Sequence, residues 1–315
     1  MDDIRSFRQW GSRTPGHPEV NFELGVENTS GPLGQGHTMA VGAAIAERFL
    51  AARFGEWTKH KIYTFISDGG IQEEISQGAG RIAGLLGLSN LIMYYDSNDV
   101  QLSTFVNEVS TEDTAMKYQA WGWNVITING NDAAQIRTAI EAAKAIEGKP
   151  TLIIGHCIMG KGAQKADGSS YERSCQTHGA PLGGDAYINT IKNLGGDVEN
   201  PFVFFPEVKE MYDKRLAELR KIVAERKQAK AAWAAANPEK AQKLENWFSG
   251  KQPQIDWAAI EQKADAPTRN ASATVLGILA ENYGNMICSS ADLSNSDKTD
   301  GFLKKTHAFK PGDFS

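Results

Sequence analysis

Ile62-Tyr-Thr-Phe-Ile-Ser67-Asp68-Gly69-Gly70-Ile-Gln-Glu73-Glu74, an alanine- and glycine-rich run, and then Leu91-Ile-Met-Tyr-Tyr-Asp96-Ser97-Asn98-Asp99-Val100 decide the fold. Each end of the stretch is a short apolar run closed by oxygen-bearing side chains. The runs are too short for buried helices and are bounded by glycine and polar residues, so they read as parallel strands. The segment between them, Ile71 to Leu88, has helical composition. The unit is therefore β-α-β. In an open α/β sheet, ligands sit outside the carboxyl ends of the strands. Asp68 and Asn98 both fall at such ends, so neighbouring strands would bring two hard oxygen donors to one spot. Gly69 and Gly70 let backbone approach closely there and leave a helix N-terminus facing an anion. Hard oxygens beside an anion site suit a magnesium diphosphate, because Mg2+ takes few protein ligands and fills its sphere with phosphate and water. An Asp-Gly after a strand is otherwise an ordinary turn.

The stretch resembles the thiamine diphosphate motif, a Gly-Asp-Gly followed some thirty residues later by Asn. It is similar to transketolases in particular, because Glu73, Ile75, Ala83-Gly84 and Tyr95-Asp96-X-Asn98 also fall in step. Ser67 stands where most members have the first Gly, and Gly78 where many have Glu. Ser is small enough to keep the turn. The interface role of that Glu is not carried over to Gly78.

The 315 residues are enough for one large domain or two ordinary ones. With 41% hydrophobic and 23% charged residues, the chain can build an ordinary core. A net charge of −5 argues against a general nucleic-acid binder. No apolar run reaches the ~18 residues of a membrane span, and the acidic Met1-Asp-Asp-Ile-Arg start is no signal peptide. Cys157, Cys175 and Cys288 have no metal-site spacing and read as reduced thiols of a cytoplasmic protein.

Two motifs lie in the first 36 residues: Thr14-Pro15-Gly16-His17-Pro18-Glu19 and Gly31-Pro32-Leu33-Gly34-Gln35-Gly36. Prolines on both sides of His17 restrict the backbone that carries it. The glycine-rich run leads into a helix, His37 to Phe54, whose small residues suit close packing. After Val100 the expected order is a loop over Gln101 to Val109, a helix from Thr111 to Ala120, a strand from Trp123 to Ile128, a helix from Asp132 to Ile146 and a strand from Thr151 to Gly155. This alternation predicts an α/β fold, a parallel sheet flanked by helices. Beyond the last strand, Thr177-His178-Gly179-Ala180-Pro181-Leu182 occupies a polar loop of the kind that carries ligands. Glu207 to Ala235 reads as a solvated charged helix and Glu239 to Phe248 as a further helix. Thr268 opens a new unit, with a helix to Glu281, a short strand Met286 to Cys288 and then Ser290-Ala291-Asp292-Leu293-Ser294-Asn295-Ser296. The expected organisation is a diphosphate-binding domain over 1–235, a helical linker over 236–267 and an incomplete second α/β domain over 268–315.

Both early motifs, the His-Gly-Ala-Pro-Leu run and the Ser-Ala-Asp-Leu run are similar to transketolase motifs. The resemblance implies that His17 and His178 act on the sugar substrate as catalytic groups, and that His178 also meets the cofactor diphosphate. It implies cofactor contacts from Gly31, Leu33, Asp68, Gly69, Glu73, Asn98 and Asp292, the last toward a partner subunit. It assigns a magnesium ion (Ca2+ or Mn2+ as alternatives) to Asp68, Asn98 and the carbonyl of Val100. Arg269 and Ser296 would bind a sugar phosphate, where a guanidinium fork suits phosphate oxygens. His37, His60, His156 and His307 match no motif. The implied reaction moves a two-carbon glycolaldehyde unit from a ketose phosphate to an aldose phosphate, in a homodimer or with a pyrimidine-domain subunit. The resemblance covers only the middle of a transketolase, without the glutamate that activates the cofactor. The chain is thus expected to be a fragment, a truncated product or one subunit of a split enzyme, with little turnover alone. A non-catalytic thiamine diphosphate module is the alternative.

Overall fold

Four strands form where the β-branched and aromatic runs predict them: β1 (Ile62–Ser67), β2 (Leu91–Ser97), β3 (Asn124–Asn129) and β4 (Thr151–His156). In the computed structural model, which describes all residues 1–315, they make one parallel sheet in the order β1-β2-β4-β3. β1 and β2 are neighbours, with Ser67 opposite Asp96. Ser97 and Asn129 both lie opposite His156. The carboxyl ends of all four strands therefore reach the same level. That levels the platform on which the following loops stand.

The two central strands are buried on both faces, as parallel sheets covered by helices require. Leu91, Met93, Leu152 and Ile153 are fully buried, and Ile92 and Ile153 pack with Ala139 and Ala143 of the helix Ala133–Lys144. Burying each such aliphatic side chain contributes about 1.5–3 kcal/mol. An exposed ion pair such as Lys144–Glu141 contributes about 0–1 kcal/mol. Packing, not surface charge, fixes the strand ends. β1 pairs on one side only, and its Tyr63 and Phe65 are 50% and 79% exposed.

The helix expected from Ile71 to Leu88 is two helices, Asp68–Gln72 and Glu74–Leu86. It begins earlier because Ser67 is an N-cap whose Oγ accepts from Gly70 N at 3.3 Å. It breaks at Glu73, whose backbone is extended. The second helix ends at Gly87 in the left-handed conformation. Gly84 lets that helix touch the backbone of the turn that ends the helix Thr114–Ala120: a Cβ there would lie 1.8 Å from the Trp121 carbonyl oxygen. Trp123 Nε1 donates to Gly80 O at 2.8 Å across the same contact. Val106–Val109, expected as loop, forms one helical turn.

The chain divides into two compact units, Met1–Arg48 with Lys59–Leu219, and Phe49–Thr58 with Arg220–Ser315. The helices Gln35–Phe54 and Pro206–Ala236 each contribute residues to both. In the second unit, Phe54 meets Trp233 and Trp247 edge-on at 6.0 and 5.1 Å. Its helices include Pro238–Phe248 and Thr268–Asn282. The strand expected at Met286 to Cys288 is absent, and those residues have no regular structure. A three-residue apolar run forms a strand only beside another strand, and this unit supplies none.

His37 opens the long helix Gln35–Phe54 and is 3% exposed, with neither ring nitrogen hydrogen-bonded. Burial pushes its pKa down to about 4 from the ordinary 6.5. Between those values the unfolded chain holds more protons, so stability falls as pH drops from 6.5 toward 4. The expected loss between about pH 7.5 and about pH 5 is roughly 2 kcal/mol. Urea unfolding at both pH values should show His37→Leu losing less stability by that amount; an equal loss would contradict it.

Candidate functional site

Because Ser67 and Asp96 are in register, Asp68 starts its helix directly beside the end of β2. Asp68 is 2% exposed and Asn98 8%. The Tyr95 hydroxyl donates to Asp68 Oδ1 at 2.5 Å, and Asn98 N donates to Asp68 Oδ2 at 3.0 Å. Asn98 Oδ1 in turn accepts from Val100 N at 3.1 Å. Asp68 and Asn98 thus meet at the two strand ends, as the β-α-β spacing predicts, and the Val100 amide extends the hydrogen-bonded chain through Asn98 Oδ1. Burial raises the Asp68 pKa, opposed by the bonds from Tyr95 and Asn98, while Asp99 and Asp96 raise it further. An ionised Asp68 is therefore a buried charge short of compensation, a condition that a cation relieves.

The donor set can be tested against a metal diphosphate. Each oxygen of Asp68 accepts a single bond, so acceptor capacity remains on both. All the donors are hard oxygens, and no group of three or more His, Cys, Asp or Glu side chains is arranged to hold a metal ion. These residues cannot complete a coordination sphere themselves. They fit a hard cation that takes its other ligands from phosphate and water.

Glycines bring the neighbouring segments in. A Cβ on Gly69 would lie 3.2 Å from the side chain of Leu33, and one on Gly31 would lie 3.3 Å from the imidazole of His17. Gly34, at φ +83°, leaves room for Glu73, whose Cβ would be 3.2 Å away, and for Ile75. The two early motifs thus touch each other through His17 and Gly31, and they touch the β1 end through Leu33 and Gly69. His17 is exposed and lines a cavity of about 580 Å³ with Thr14, Glu19 and Asn21. His178 is half-buried in the loop after β4, and its Nδ1 is enclosed without a hydrogen-bond partner. A buried unpaired ring nitrogen calls for a ligand or water.

Asn98, Asp99 and Val100 line a second cavity of about 790 Å³ with Phe105, Glu108 and Arg173. Asp99 and Arg173 both hold left-handed backbone, at φ 66° and 54°, and their charges lie 4.0 Å apart. Two such non-glycine residues facing one cavity is a pattern that functional loops show. The sequence carries no signal for a role of either. Tyr95 belongs to a motif visible there, but its bond to Asp68 follows only from the strand register. Arg269, Asp292 and Ser296 lie in the second unit, all exposed: Arg269 in the first turn of Thr268–Asn282, Ser296 in the short helix Ser294–Asp297, and Asp292 just before it. Cys157, Cys175 and Cys288 are unpaired, and burial pushes the Cys157 thiol up to about 11. No helix is long and apolar enough to cross a membrane.

Residues 1–253 match the family described as "Transketolase, thiamine diphosphate binding domain". The chain is 38% identical to a probable transketolase of Streptococcus pneumoniae serotype 4, over 96% of this chain and 47% of that protein. It is 37% identical to transketolase 1 of Escherichia coli K12, over 95% and 46%. The solved structure of a transketolase from Leishmania mexicana matches with a TM-score of 0.87 at 34% identity, over 95% of this chain and 45% of that one. The chain spans about half the length of the curated relatives it matches.

Proposed function

The chain belongs to the transketolase family through its thiamine diphosphate binding domain, and from that membership we propose that it serves transfer of a two-carbon glycolaldehyde unit between sugar phosphates. The observation that carries this reading is the buried Asp68–Asn98 pair at adjacent strand ends. Asp68, Asn98 and the Val100 carbonyl hold Mg2+ with the cofactor's diphosphate, and Ca2+ or Mn2+ are the alternatives. Leu33, Gly31, Gly69 and Glu73 line the cofactor's path. When bound, thiamine diphosphate supplies the electron sink that lets a ketose carbon–carbon bond break.

The protein's own residues orient and move protons. His17 and His178 face the sugar and exchange protons with its hydroxyls as general acid and base. The unpaired His178 Nδ1 supports a ligand contact there. Arg269 and Ser296 take the sugar phosphate, and Asp292 serves the cofactor of a partner subunit. The remaining contacts to the cofactor's pyrimidine end come from outside these residues, in a homodimer or from a pyrimidine-domain polypeptide. A cytoplasmic location and a place in pentose phosphate metabolism complete the reading.

Metal removal tests it. Thiamine diphosphate titrated into the chain should give binding heat with Mg2+ and none with EDTA. Equal binding in both would overturn the metal assignment. Absence of binding in both would favour a role without cofactor.

A further inference from the structure

The Tyr95 hydroxyl lies 2.5 Å from Asp68 Oδ1, the shortest bond made to that carboxylate. Tyr95 is 5% exposed on the central strand β2, so its ring is held by the core rather than by the ligand loops. Facing a carboxylate oxygen, the phenol hydroxyl is the donor of this bond. Oδ2 is held separately by the backbone amide of Asn98. Turning the carboxylate about its axis would break both bonds.

This arrangement bears on the choice of cation. Ca2+ readily takes a carboxylate through both oxygens in a flexible sphere of six to eight ligands, whereas Mg2+ demands compact octahedral geometry. Two-oxygen chelation needs both oxygens turned equally to the ion. A short charge-assisted hydrogen bond draws density from Oδ1 and places a phenol oxygen against it. We propose that Tyr95 is a positioning residue that sets metal choice: it keeps Asp68 a one-oxygen ligand and so favours Mg2+ over Ca2+. The proposal rests on Asp68 being a metal ligand, and its test separates the two ideas.

Mg2+ and Ca2+ are titrated separately into the 315-residue chain with saturating thiamine diphosphate, for wild type, Tyr95→Phe and Asp68→Ala. Tyr95→Phe keeps the ring and removes the hydroxyl. Its ratio of Mg2+ to Ca2+ dissociation constants should rise about tenfold, the low end of what partners of metal ligands contribute. A ratio unchanged within about twofold would overturn the proposal, whether both affinities fall together or neither moves. Unaltered metal affinity in Asp68→Ala, or no metal binding by wild type, would overturn the underlying assignment instead. Should Tyr95→Phe not fold, infrared difference spectra of wild type against Asp68→Ala still decide. The Mg2+-induced carboxylate bands should show one-oxygen splitting; two-oxygen splitting would refute the proposal.

Discussion

Asp68→Ala should abolish metal-dependent thiamine diphosphate binding. Partners of metal ligands contribute about 10–100-fold to affinity, so loss of a ligand itself should reach at least about 100-fold. Unfolding would not be the cause. The substitution removes a buried carboxylate whose ionisation is disfavoured by burial, which favours the fold. It also leaves the Tyr95 hydroxyl and the Asn98 amide without their acceptor, which costs about 1–3 kcal/mol. These effects oppose each other, so the melting temperature without metal should change little while affinity collapses. Calorimetry with Mg2+ and thiamine diphosphate reads the first, and a thermal melt the second. Wild-type affinity in a folded Asp68→Ala protein would remove the basis for the proposed site.

A polypeptide of these 315 residues, freed of host enzyme, should show little or no transfer from xylulose 5-phosphate to ribose 5-phosphate. The resemblance assigns cofactor activation to a glutamate of the pyrimidine domain, and no residue here matches it. A positioned general acid–base group contributes about 10²–10⁴-fold in rate. The matched relatives are about twice as long as this chain. Adding a polypeptide that carries a relative's unmatched half should restore turnover at least in part, and that turnover should vanish with Asp68→Ala. Robust turnover by the 315 residues alone, sensitive to Asp68→Ala, would show that the activating group is already present.

The sheet was legible because its strands are nearly uniform apolar runs closed by polar residues. The Asp68–Asn98 pair was legible because β-α-β spacing puts consecutive strands side by side. The early helix start and the break at Glu73 were not: the first needs the Ser67 side chain to cap Gly70 N, and the second is one extended residue inside a run that reads as helix throughout. The strand expected at Met286 to Cys288 failed because a strand is defined by a partner, which no local pattern contains. Tyr95 belongs to the same class. Its identity is local, but its hydroxyl finds Asp68 only through a register set by the whole of β1 and β2. The His17–Gly31 and Leu33–Gly69 contacts are likewise tertiary, although each glycine stood out in the sequence.

Asp68 stands at the end of the strand that pairs on one side only, while Asn98 follows the fully enclosed β2. The two halves of the site therefore have unequal mechanical footing. If the edge frays, Asp68 leaves with it, and apparent affinity would scale with the fraction of time that β1 stays zipped. A metal diphosphate held as proposed would span both ends and act as a clasp on that edge. Binding and local folding of β1 would then be a single equilibrium, and amide exchange along Ile62–Ser67 should slow when the ligand is added.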